Sequence, residues 1–180
     1  MSVLDAAAYG LGRSVPASCT SRTPLLGAEG YQALWNRRRL LADDSGLHVA
    51  RVEHLLGRYG SLIGEVLALV SENPDLGQPL PGAEDYLRAE VVHAVSHEGA
   101  RHLDDVLTRR TRISIETFDR GVGSARPAAE LMAGELGWDQ ARLDDEVDHY
   151  LRRVEAERQS QREPTDRAAD EARVRAPDIV

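Results

Sequence analysis

Two Glu-x-x-His spacings, Glu90-x-x-His93 and Glu146-x-x-His149, are the strongest hint of chemistry in this 180-residue sequence. Three residues apart on a helix is one face, and two such pairs joined by a carboxylate from each of two further helices make a carboxylate-bridged di-iron centre. Glu65 and Glu130 could complete the set. With so many Glu and six His in the chain, two pairs are only a mild excess over chance, and a structural role for each outweighs a metal site. His93, His97 and Glu98 also open a zinc-protease pattern, but Arg101 stands where its second histidine is needed and His102 comes one residue late.

Nucleotide and nucleophile motifs are weaker still. Gly10-x-Gly12 has Val15 where the third glycine belongs and follows no strand, and Gly121-x-Gly123 is equally isolated, so neither is expected to hold a dinucleotide. No Gly-x-Ser-x-Gly elbow is present, and Cys19 lies in a linker with no histidine beside it. The densest charge cluster is Asp104, Asp105, Arg109, Arg110 and Arg112, followed by Asp119 and Arg120. On an α-helix Asp105 and Arg109 are one turn apart and pair well, whereas Asp104 and Arg109 pair only weakly; each such surface pair contributes about 0.3–0.5 kcal/mol. Asp105, Arg109, Arg110 and Arg112 are therefore read first as an ion-pair lattice and second as guanidinium forks for a carboxylate or phosphate on a partner. The Arg37 to Arg39 run reads as a solvated helix face.

The elements that must position these residues are helical. Hydrophobic residues make up 42% of the chain but aromatic ones only 4%, a composition of aliphatic ridges that disfavours an all-β fold. A net charge of −8 argues against nucleic acid as a partner. All 22 basic residues are Arg, so lysine chemistry is excluded. The lone Cys19 forms no internal disulfide and fits a reducing cytoplasm, and no stretch has the length of a signal or transmembrane segment.

Apolar spacing predicts helices over 28–43, from Ser45 to Gly57 or Gly60, over 61–73, 83–97, around 103–113, from Ser124 to Gly137, and a long one capped by Asp139. Residues 75–82 read as a surface loop. The wide apolar arc of Leu62 to Val70 predicts the central helix. The expectation is an all-α bundle of about six helices over 27–160, after an extended linker within 1–26 and before a disordered charged tail over 161–180.

The order of four segments carries a family likeness. Thr23-Pro-Leu-Leu-Gly27, His54-Leu-Leu-Gly-Arg-Tyr-Gly-Ser61, Ala89-Glu-Val-Val-His-Ala-Val-Ser-His-Glu98 and Leu103-Asp-Asp-Val-Leu-Thr-Arg-Arg-Thr-Arg-Ile-Ser114 together resemble the C-terminal part of the FAD-dependent glycerol-3-phosphate dehydrogenases. That resemblance implies a FAD-binding α/β domain followed by a helical domain, and oxidation of sn-glycerol 3-phosphate to dihydroxyacetone phosphate with electrons passed to quinone. It transfers no catalytic, cofactor or metal residue to this chain, because the family's flavin fingerprint and substrate pocket belong to the other domain. Met1 to Ala8 looks like the last helix of a flavin domain, so the chain is expected to be a shortened form of a longer product, inactive alone. The implied partner is the flavin-binding domain, met through Arg109, Arg110 and Arg112 unless these serve the domain's own ion pairs. A stand-alone helical module that forms a homodimer is the alternative. The lone cysteine gives the expectation of a cytoplasmic location, to which the resemblance adds peripheral membrane attachment of the whole enzyme.

Overall fold

The computed structural model describes residues 9–10 and 19–176. The helix expected near Leu4 and most of the linker after it lie outside the described residues. The rest is overwhelmingly helical, as the aliphatic spacing predicts. The order is α1 (Tyr31–Asn36), α2 (Arg38–Ser45), α3 (Val49–Tyr59), α4 (Ile63–Glu72), strands β1 (Pro79–Leu80) and β2 (Ala83–Leu87), and α5 (Arg88–Ser96). A wide π-helical turn (Asp105–Arg110), α6 (Ile113–Glu116), α7 (Val122–Leu136), α8 (Gln140–Ser160) and α9 (Asp166–Val174) follow. No helix among the described residues is long and apolar enough to cross a membrane.

Several expectations change at element ends. The helix over 28–43 is two helices that meet at Arg37, so the bundle has more and shorter pieces than six. Ser45 does not start α3: its hydroxyl donates back to Leu41 C=O at 2.6 Å, and the His48 ring accepts from Ala50 N–H instead. Residues 75–82 are not all loop, and 83–87 are not helix. Pro79–Leu80 pairs antiparallel with Ala83–Leu87 through a turn at Gly82, whose φ of +82° suits glycine. A side chain at Gly82 would also lie 2.8 Å from the Gly123 backbone, so the hairpin tip sits directly on the start of α7.

The correction with most consequence for the core concerns its centre. In α4 only Ile63, Val66 and Val70 are buried, while six consecutive residues of α5, Ala89 to Ala94, are buried all round. Val91 and Ala94 join one apolar cluster with the π-helical turn, α7 and α8, and Ala89 and Val92 join another with α3 and α4. Burial on every side, rather than an amphipathic stripe, marks α5 as the central helix. The charged tail is also corrected in part. Thr165 caps α9 through Ala168 N–H, and Ala172 is buried where α9 folds back along α8. Small residues let a polar helix approach a neighbour closely, which the tail's composition conceals. The remainder of that expectation, residues 177–180, lies outside the described residues.

Candidate functional site

The π-helical turn builds the Arg cluster. Thr111 N–H donates to Val106 C=O, five residues back, at 2.8 Å, and this wider turn changes which side chains share a face. Asp105 and Arg109 pair at 3.1 Å, as α-helical spacing predicts. Asp104 and Arg109, five apart, also form a close ion pair, which corrects the weak contact expected of α-geometry. Asp104 is buried and is shared with Arg153 of α8 at 2.6 Å, so the turn is tied to the long helix. Desolvation pulls the Asp105 carboxyl up, but the N–H groups of Arg101 and His102 and the charge of Arg109 together hold it below its ordinary value.

The four residues singled out by sequence thus do not form one surface fork. Arg110 turns inward, its Nε donating to Glu98 C=O at 3.0 Å while its own carbonyl accepts from Arg58 at 2.6 Å. Arg112 is the most exposed of the four, at 66%, and is held only loosely by Glu116 at 3.6 Å, while Arg109, 47% exposed, is held by Asp104 and Asp105. Ile115 and Phe118, three and six residues further along the chain than Arg112, are 69% and 104% exposed, which sequence spacing does not reveal.

The two Glu-x-x-His pairs are committed elsewhere. Glu90, fully buried, accepts from Leu87 N–H at 2.9 Å and the Tyr59 hydroxyl at 3.1 Å, and lies 3.1 Å from Arg58 and 3.3 Å from His54. The Arg58 guanidinium is itself flanked by the rings of Tyr59 and Tyr86. Burial, and then its hydrogen bond to Glu116, push the Tyr86 phenol up to about 12. His93 pairs with Glu65 at 3.0 Å. Glu146 meets His102 at 2.9 Å, Leu103 N–H at 2.9 Å and Arg142 at 2.7 Å, while Glu130 is exposed. Desolvation, then Arg153 and Arg152, lower the His149 pKa. No group of three or more His, Cys, Asp or Glu among the described residues could hold a metal ion.

The glycine-bearing start of α7 would be the natural phosphate cradle, but Asp119 already fills it. Its carboxylate accepts from Gly121 N–H at 3.0 Å and Gly123 N–H at 2.7 Å. Modest desolvation raises the Asp119 pKa, and these amide bonds outweigh it and hold the carboxyl below its ordinary value. Asp119→Ala should therefore cost about 0.5–2 kcal/mol as a lost cap. A depressed carboxyl stabilises fully above the ordinary carboxylate range and loses its contribution as pH falls through the folded value. The gap between wild-type and variant denaturation midpoints should accordingly be full at pH 7 and begin to narrow only below about pH 4, as the pH falls towards the depressed folded value; a gap that widens as the pH is lowered below about 4 would contradict the assignment.

A family model described as the C-terminal domain of alpha-glycerophosphate oxidase matches residues 18–143. The chain is 48% identical over 175 residues to glycerol-3-phosphate dehydrogenase 2 of Mycobacterium tuberculosis, covering 97% of this chain and 30% of that protein. It is 49% identical to glycerol-3-phosphate dehydrogenase of Mycobacterium leprae with the same coverage, and 34% identical over 145 residues to that of Synechocystis, covering 79% of this chain and 26% of that protein. No solved structure matches. The chain spans less than a third of the length of these relatives. The segments in this order, the family model that spans residues 18–143 and relatives nearly half identical over almost the whole chain place it in the family of the C-terminal domain of alpha-glycerophosphate oxidase, matching the C-terminal domain of the glycerol-3-phosphate dehydrogenases.

Proposed function

We propose that the chain serves as the helical, non-redox part of a FAD-dependent sn-glycerol-3-phosphate dehydrogenase, a cytoplasmic or peripherally membrane-attached flavoenzyme. The whole enzyme oxidises glycerol 3-phosphate to dihydroxyacetone phosphate and passes the electrons to quinone, and this part docks on the flavin-binding domain. Asp105, Arg109 and Arg110 hold the domain's own turn, and Arg112 is the member left for the partner. The observation that carries this reading is the match of nearly the whole chain to 30% of its relatives' length. The engagement of Glu90, Glu146 and Asp119 with the chain's own donors supports it, since no anion or metal site is left over at these positions.

The purified 180-residue chain is expected to show no flavin absorbance and no oxidation of glycerol 3-phosphate with a quinone acceptor. A chimaera in which it replaces the matching segment of the Mycobacterium tuberculosis relative should hold flavin and turn over. Turnover by the chain alone, or a chimaera that carries no flavin, would overturn the reading.

A further inference from the structure

The segment after α6 presents the only phenylalanine of the chain, Phe118, entirely to solvent, and it does so from a firmly built loop. Thr117 Oγ1 donates to Ile113 C=O at 2.8 Å and accepts from Gly121 N–H at 2.7 Å. Asp119 C=O accepts from Arg158 at 3.1 Å, and Arg120 C=O accepts from the buried Tyr150 hydroxyl at 2.6 Å. Arg120 itself sits at φ +61°, the single non-glycine residue among those described with positive φ, and is held there by its ion pair with Glu157 at 2.5 Å. Backbone strain of this kind persists where surrounding contacts over-determine it, and here they fix a loop whose tip buries nothing of its own. Ile115, three residues earlier in α6, is 69% exposed, and Arg112, at the start of the same helix, is 66% exposed.

We infer that Ile115 and Phe118 form a preset apolar anchor that inserts into a socket on the remaining polypeptide of the same longer chain, with Arg112 meeting a carboxylate on the socket's rim. This rests on the proposed function above and names the surface through which it works. Patch size selects the occupant. Two side chains expose far less than the roughly 1,200 Å² that a stable free association buries, which disfavours a second copy as the partner. A covalently continuous domain instead meets its partner at an effective concentration in the millimolar range, where one aromatic anchor is enough. The chain's relatives carry the other 70% of their length as such polypeptide. Preorganisation adds to this, because an anchor already fixed loses little freedom on docking.

Hydroxyl-radical footprinting reads the anchor directly. Oxidation of Phe118 is expected to be about tenfold or more slower in the chimaera with the Mycobacterium tuberculosis relative than in the 180-residue chain alone. Ile115→Ala with Phe118→Ala should leave the urea midpoint of the isolated chain unchanged, and should raise the rate of proteolysis between the two parts of the chimaera about thirtyfold. If a flavin-holding chimaera oxidises Phe118 as fast as the isolated chain does, or resists protease equally with both substitutions, this inference falls and the proposed function stands. If the chimaera holds no flavin, the proposed function falls and takes the anchor with it. Protection of Phe118 that grows with the concentration of the isolated chain would assign the patch to self-association and overturn the inference.

Discussion

Glu90→Ala is expected to destabilise the domain by about 3–5 kcal/mol, the cost of stripping the partner from a buried charge. Glu90 is inaccessible to solvent, and its neighbours Arg58 and His54 keep only 18% and 25% of their side-chain surface. Removing the carboxylate leaves the Arg58 guanidinium in a half-dry site without its counter-charge, with aromatic faces on two sides and neutral acceptors such as the Arg110 carbonyl. It also frees the Tyr59 hydroxyl and the Leu87 N–H at the start of the central helix. Glu90→Gln keeps an acceptor for those two donors and should lose less. Replacing Glu90 and Arg58 together by apolar residues of similar volume should recover much of the loss, because the orphaned charge disappears with its partner. Urea denaturation of the four proteins checks this. A loss below about 1 kcal/mol for Glu90→Ala would mean that the network is a solvated ion pair after all.

How much of this could be read from sequence differs by residue, and the difference is physical. Asp139 was legible as a cap because capping is local: its carboxylate accepts from Arg142 N–H, three residues on, at 2.8 Å. Asp105 with Arg109 was legible for the same reason. Asp104 with Arg109 was not, because spacing converts to distance only once the helix type is known, and nothing in Asp-Asp-Val-Leu-Thr-Arg-Arg announces a π-helical turn. The strands at Pro79 and Ala83 were hidden in apolar positions, Tyr86 and Leu87, that serve either a helix face or a strand end. Identifying α5 rather than α4 as the centre needs knowledge of what covers each face, which is tertiary. The Glu90 network joins residues more than 30 positions apart, so the Glu-x-x-His spacing showed the acid and not its purpose. Phe118 is the extreme case: a lone aromatic between Thr117 and Asp119 has no period, and its exposure follows from how the loop is tied down.

Gly60→Ala is the substitution expected to have the second-largest effect, about 2–4 kcal/mol, and it tests how the segment before α1 is attached. Gly60 lies at φ +57°, ψ −129°, a conformation that only glycine enters without cost. A Cβ there would stand 2.1 Å from the Gly27 carbonyl oxygen, which accepts a hydrogen bond from Ser61 N–H at 2.8 Å. The reverse approach is equally tight, since a Cβ on Gly27 would be 2.7 Å from Tyr59 C=O. Two backbones cross here with no room for a methyl group, so alanine must strain the corner between α3 and α4 or lift the Gly27 turn off it. Either outcome breaks the Ser61 amide bond, and hydrogen exchange at Ser61 should accelerate in step with the fall in stability. Gly57, three residues earlier, is the internal comparison. It sits in α3, exposed, and a Cβ added there would meet nothing within 4 Å, so Gly57→Ala should stabilise by about 0.5–1 kcal/mol through helix propensity alone. The same chemical change three residues apart should thus have opposite signs, which a uniform effect of alanine on the unfolded chain cannot produce; matching signs at the two positions would refute the backbone crossing as the origin.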